Sequence, residues 1–331
     1  MTGTGRRGRI NENLHFSVDL WQENAVYWHG EIIVGMIRES IVASLNMVVN
    51  SKRELPVTYL RPARGWASLN LRALWEYREL VFFLTWRDIK VRYKQAALGI
   101  AWAIIQPVVN MVIFTVIFGQ LAGLKTDAGI PQAWYPIFTF AALLPWQLFQ
   151  GALQRAGVSL VSNANLLTKV YFPRLIIPIA AVAAGLVDFF FSFLVLGALM
   201  IYYQVPFNWN MLWLPALVLL SLLAALAVGL WLAALNVQYR DVQQAIPFLL
   251  QAWMYASPVA YSINLIPSNG ILRFIYGLNP MTGVIQGFRW ALLGGQPPDR
   301  LMIVSVVMVI VLLISGLYYF RSMERNFADM V

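Results

Sequence analysis

The 331-residue chain contains no cysteine, which excludes disulfides and thiolate-based metal or redox chemistry. His15 and His29 are its only histidines, and their separation is not a metal-ligand spacing. Charge is scarce, at 12% of residues, about half the share of a soluble domain. No G-x-x-x-x-G-K-[ST] sequence occurs, so work driven by a nucleotide requires another chain to bind it. GTGRRG at 3–8 matches the dinucleotide pattern in letters alone, without the strand its mechanism needs. Residues 1–30 lack a continuous apolar core and include Glu and Asp, so no cleavable signal sequence is expected.

What the chain has is apolar length. Hydrophobic residues make up 60% and mean hydropathy is +0.64. A net charge of +9 raises nucleic acid as a partner, but its distribution argues against that. Uncharged runs of about 20 residues mark membrane helices. The expected fold is an all-α integral membrane protein with six spans near 98–120, 136–157, 175–203, 212–235, 243–263 and 301–320. Of the 24 Lys and Arg, 20 fall on one side of that topology, which places both termini in the cytoplasm.

Residues 1–54 read as an appendage. Ile33, Ile37, Ile41 and Leu45 there recur every four residues, and the segment is either a surface helix or an over-extended translation start. Residues 55–96 form a cytoplasmic lead-in, 97–320 the six-span domain and 321–331 a cytoplasmic tail. Within the lead-in, Leu71, Leu74, Tyr77, Val81 and Leu84 share one helical arc, opposite Arg72, Glu76 and Glu79. Such a helix can lie in the headgroup plane, with Trp75 and Trp86 at the interface. Arg87, Lys90, Arg92 and Lys94 follow it. They read as positive-inside anchors or as a site for an anionic lipid headgroup such as a pyrophosphate.

Between spans two and three, Asn163 or Asn165 can cap a two-turn helix bearing Leu166, Leu167, Val170 and Tyr171. A helix that short needs a groove, supplied either by a partner or by this chain's own surface. Asp188, mid-way along span three, is a costly intramembrane acid. A hydrogen bond to a neighbouring helix fits it better than a proton relay, because no second intramembrane acid is in evidence. After span five, two short re-entrant helices are expected near 267–277 and 281–292, divided at Asn279-Pro280, with Gly283 and Gly287 allowing close contact. Trp102, Phe114, Trp146, Phe149, Trp253, Tyr255 and Tyr261 lie in or at the edges of spans. Their ring faces suit sugar C–H surfaces and could line a wide translocation channel in which a glycan slides, although lipid contact or core packing fits each one taken singly.

Five stretches carry a resemblance: LWEYRELVFFLTWRDIKVRYKQAALGIAWAIIQP, NANLLTKVYFPRLIIP, NVQYRDV, LNPMTGVIQGFRWALLG and FRSMERNFADMV. Together, from about residue 55 onward, the chain resembles the permease subunits of polysaccharide-exporting ABC transporters of the type-2 class. Residues 1–53 depart from that pattern. The resemblance implies a non-catalytic subunit in the bacterial inner membrane that binds no cofactor. It forms a homodimer with two copies of a separate ATPase, which holds ATP and Mg. The implied cargo is an undecaprenyl-type lipid-linked glycan. The resemblance also implies an interface helix at 70–84, a gate helix at 87–95 and a coupling helix at 162–173. ATPase contacts would be Asn163, Asn165, Leu166, Leu167, Lys169, Tyr171, Arg174, Tyr239, Arg240 and Asp241. Two further readings remain open: a type-2 permease for drugs or small lipids, and a proton-coupled secondary transporter.

Overall fold

A computed structural model describes residues 71–94, 99–170, 172–266, 271–295, 297–298, 300–324 and 327. The expectations for residues 1–70 and for Tyr171 lie outside them. The regular structure among the described residues is helical. We number the α-helices α1 (Leu71–Glu76), α2 (Arg78–Lys94), α3 (Gly99–Phe114), α4 (Tyr135–Ser162), α5 (Ala164–Lys169), α6 (Ile176–Ala183) and α7 (Gly185–Tyr202). Then follow α8 (Leu214–Gln238), α9 (Val242–Tyr255), α10 (Ile271–Leu278), α11 (Pro280–Leu293) and α12 (Leu301–Met323). α3 widens into a π-helical stretch, Thr115–Leu121.

α4 is the central post. It packs against α3, α6, α7, α8 and α11, and most of its length is buried. Small residues set its distance to α8: a Cβ on Gly229 would stand 2.6 Å from the Cβ of Ala156. The two helices also satisfy each other's polar groups. Ser221 donates to the Pro145 carbonyl at 3.2 Å, and Asn236 donates to the Gly157 carbonyl at 3.1 Å. In a bilayer, where water cannot serve backbone carbonyls, such internal donors are required.

Among the described residues, four helical segments are long and apolar enough to cross a membrane: Ala101–Leu121, Ile176–Tyr202, Trp209–Gln238 and Leu301–Met323. They match four of the six expected spans. The expected span 136–157 coincides with α4, whose 28 residues exceed a bilayer's need but include Gln147, Gln150, Gln154 and Arg155. A helix surrounded by protein can carry such side chains. The expected span 243–263 is corrected: it is not one helix. α9 has 14 residues and ends at Tyr255, about 21 Å of rise against about 30 Å of hydrocarbon. The chain then runs irregularly through 256–262.

The segment before the last span does form two short helices, α10 and α11, divided at Asn279-Pro280. Asn279 caps α11 by accepting from the Met281 amide at 3.0 Å. Gly283 and Gly287 allow the close packing expected of them: added Cβ atoms would stand 2.8 Å from Ser305 and 2.6 Å from Leu217. The division of the lead-in differs from expectation. No boundary falls between an interface helix and a gate helix near 84–87, because α2 runs unbroken from Arg78 to Lys94. Leu84 is buried in the inner core with Ile176, Ile177 and Ala180, and Leu80 and Val81 pack beside it.

Candidate functional site

Asp188 lies twelve residues beyond Ile176 on the α6–α7 span, about 18 Å along its axis. Its carboxylate is not alone at that depth. Arg92 and Tyr93, at the end of α2, both donate to it, and Arg155 of α4 donates at 3.3 Å. Burial, reinforced by this carboxylate, pushes the Tyr93 phenol up to about 12, so it remains a donor at any physiological pH. The Arg155 guanidinium also donates from Nε to the Ala181 carbonyl at 3.2 Å. It occupies a slot that two glycines leave open: a Cβ on Gly185 would come within 2.2 Å of its Nη2, and one on Gly151 within 3.1 Å of its Nη1. The expectation that Asp188 bonds to a neighbouring helix is met, by two neighbours rather than one.

This cluster is not sealed. Side-chain exposure is 37% for Arg92, 33% for Asp188 and 20% for Arg155. Charged atoms exposed beside a membrane helix belong to a water-filled or headgroup-filled crevice, since hydrocarbon contact is too costly. The cations expected to act together therefore divide. Arg92 is engaged by Asp188. Arg87 bonds Asp88 and also donates to the Asn163 side chain at 2.7 Å, tying α2 to the start of α5. Lys90 and Lys94 are exposed, with no partner among the described residues.

α5 is shorter than expected, six residues, and Asn163 does not cap it by its side chain. That side chain instead donates to the Ser159 carbonyl at 2.8 Å and receives Arg87. Leu167 is a correction: it is 7% exposed and belongs to the chain's own inner core, with Leu166 packed beside it. The exposed face of α5 carries Asn165, Thr168 and Lys169, followed by Val170. Arg174 is tethered to the tail, donating to the Glu324 carbonyl with its guanidinium 6.0 Å from the Phe327 ring. Tyr239, Arg240 and Asp241 form an exposed turn between α8 and α9.

The aromatic residues proposed for a channel also divide. Trp146 and Phe149 are fully buried and Phe114 nearly so, so their faces are closed to any passing molecule. They point toward the bundle centre because they sit on α4 and on the face of α3 that packs against it. Trp253 and Tyr261 are half-buried and serve neighbours: Trp253 donates to Asn279 at 3.0 Å, and Tyr261 shares a 3.1 Å hydroxyl contact with Tyr276. Trp102 and Tyr255 are exposed. Tyr255 ends a stripe that sequence reasoning missed. Gln244, Phe248, Gln251 and Tyr255, spaced four, three and four apart, share one exposed face of α9. The spacing was legible, but which face of α9 is open was not.

Residues 79–293, from α2 through α11, match the family model described as ABC-2 type transporter. The chain belongs to the ABC-2 type transporter family. It is 31% identical over 265 residues to the O-antigen export system permease protein RfbA of Myxococcus xanthus, covering 79% of this chain and 98% of that one. A Klebsiella pneumoniae protein of the same name is 25% identical over 254 residues, covering 76% and 95%. The polysialic acid transport protein KpsM of Escherichia coli is 24% identical over 248 residues, covering 72% and 91%. Apolar spans and family membership together make this a multi-pass membrane permease.

One residue of this ABC-2 permease escaped the sequence reading. Arg289, which lies between the fifth and sixth expected spans, is 2% exposed inside the bundle. It donates to the Val259 carbonyl at 2.7 Å and the Tyr261 carbonyl at 3.1 Å, with its guanidinium 3.6 Å from the Phe138 ring. These bonds hold the irregular segment after α9. The adjoining cavity, lined by Asp127, Arg273 and Gln286 among others, measures about 60 Å³. That is room for water, far below the roughly 300 Å³ of small-molecule sites.

Proposed function

We propose that this permease is the membrane half of an ATP-driven exporter that moves a lipid-linked, O-antigen-like polysaccharide from the cytoplasm across the inner membrane. Two copies pair with two copies of a separate ATPase, which binds ATP and Mg; this chain makes and breaks no bonds. The chain crosses the bilayer six times, with α4, and α9 plus the segment after it, completing the four apolar spans. Both termini are cytoplasmic, on the side that holds 20 of the 24 basic residues.

The observation that carries the cargo assignment is the α9 stripe. Exposed amides at Gln244 and Gln251 are poorly suited to lipid tails, and Phe248 and Tyr255 are 74% and 55% exposed between and beyond them. Amides that bond hydroxyls, alternating with rings that cover C–H faces, suit a glycan sliding past without tight binding. The relatives' names point the same way. ATP-driven closure of the partner reaches the permease through the exposed face of α5 and the Tyr239–Asp241 turn. The lipid end enters first at the crevice beside α2, and the glycan follows.

The test is deletion of the gene in its own host. Lipid-linked glycan should accumulate on the inner leaflet while surface glycan disappears, and both should be restored by the gene in trans. Normal surface glycan in the deletion strain overturns the reading.

A further inference from the structure

The tail FRSMERNFADMV has no part in the function proposed so far. Its Phe327 lies four residues past the end of α12, where a terminal segment is ordinarily exposed. Phe327 is instead 0% exposed, and its ring is met from two sides. The Phe320 ring of α12 lies 5.2 Å away at 69°. The Arg174 guanidinium, from the connection between α5 and α6, stands 6.0 Å from the ring centre. Arg174 also donates to the Glu324 carbonyl, and the Glu324 carboxylate accepts from Arg321. The tail thus crosses from the last span to the stretch of chain that follows α5. Phe327 closes one buried cluster with Phe320, Leu167 of α5, Phe172 just beyond it, and Leu84 of α2.

α5 has six residues, too few to hold its own place. Its first end is fixed by Asn163, which receives Arg87. Its other end runs into Phe172 and Arg174, and both of those meet the tail or the cluster that the tail closes. We infer that the tail seats α5: Phe327 is a positioning residue, clasped by Arg174, that fixes the angle at which α5 presents Asn165, Thr168 and Lys169 to the ATPase. A push on α5 then passes through the tail to α12, which packs against α10 and α11. The two short helices before the last span therefore receive the stroke by a route that does not involve α2. The inference rests on the ATPase partner proposed above for what pushes α5, and not for the seat itself.

The experiment uses the full-length permease, alone in nanodiscs and in complex with the co-expressed ATPase. Spin labels at Thr168→Cys and Ser322→Cys, two exposed positions in a chain with no other cysteine, report the distance from α5 to the end of α12. With Phe327 present the distance distribution should be one narrow peak. Phe327→Ala leaves a cavity and should broaden the peak about twofold or more; Phe327→Leu should restore most of the sharpness. An unchanged width in Phe327→Ala overturns the inference, whatever the partner proves to be. In the complex without labels, Phe327→Ala should hydrolyse ATP at the wild-type rate and yield about fivefold less surface glycan at matched membrane levels. Hydrolysis and glycan falling in equal proportion overturn the positioning role and leave a structural one. A wild-type permease that brings down no ATPase removes the proposed function, while the labels still decide the seat. Should Phe327→Ala fail to fold, Arg174→Gln keeps the ring, removes the clasp and should broaden the same distance. Failure of both variants to give monodisperse protein overturns the seat in favour of a prop for the whole bundle.

Discussion

Replacing Arg289 by methionine keeps an unbranched side chain of similar reach against Phe138 and removes the donors. Two carbonyls then lose their partner, those of Val259 and Tyr261, whose bonds measure 2.7 and 3.1 Å. The 3.4 Å contact to the Phe138 carbonyl is too long to add much. A buried orphaned acceptor costs about 1–3 kcal/mol, so the pair predicts a loss of about 2–6 kcal/mol. Removing a buried cation returns some desolvation energy. That gain is limited because Asp127, beside the same cavity, loses a favourable charge. The assay is the thermal midpoint of monodisperse protein in a fixed detergent, together with maleimide labelling of Ala260→Cys. Ala260 is 5% exposed, so the introduced thiol should label slowly while Arg289 is present. It should label faster once Arg289→Met is added, because the segment loses two of its bonds and keeps the one from the Tyr135 hydroxyl to the carbonyl of residue 260, 2.6 Å. Arg289→Lys should recover only part of the midpoint, since an ammonium lacks the planar fork that reaches both carbonyls. An unchanged midpoint and unchanged labelling in Arg289→Met refute the claim that this guanidinium holds the segment.

Two further expectations concern coupling and cargo. Leu167→Asp should unfold or strongly destabilise the permease, because it buries a carboxylate in the inner core. By contrast, Thr168→Asp with Lys169→Glu should leave the midpoint unchanged and abolish co-purification of the ATPase; retained co-purification removes α5 from the interface. Gln244→Leu with Gln251→Leu should preserve membrane levels and reduce surface glycan severalfold. Full export by that double variant would show that the stripe faces something other than sugar.

Four spans could be read from hydropathy because each is apolar around most of its circumference. α4 was placed correctly as a helix, but its centrality was hidden: burial by protein looks, in sequence, like a weaker membrane signal. α9 was over-extended because the apolar run continues past Tyr255, and only the bonds from Arg289 and Tyr135 reveal that residues 259–261 are held by side chains instead of by helix turns. Asp188 was legible as an anomaly, not as a junction. Its partners lie 95, 96 and 33 residues away, and nothing local to Asp188 indicates them. The same limit explains Trp146 and Trp102, two tryptophans in apolar helices. One is sealed in the core and the other is open, for reasons that reside in the neighbours of α4 and α3.

α2 is anchored at two points one and a half turns apart. Arg87 grips Asn163 at the foot of α5, and Arg92 with Tyr93 grips Asp188 inside the bundle. The two anchors are about 8 Å apart along a continuous helix, which is far too short a rod to flex. A push on α5 that rotates Asn163 therefore has two outlets: the Arg87 grip slips, or the torque arrives undiminished at Asp188. Stiffness of this kind makes the last turns of α2 a lever whose two anchors cannot keep different time.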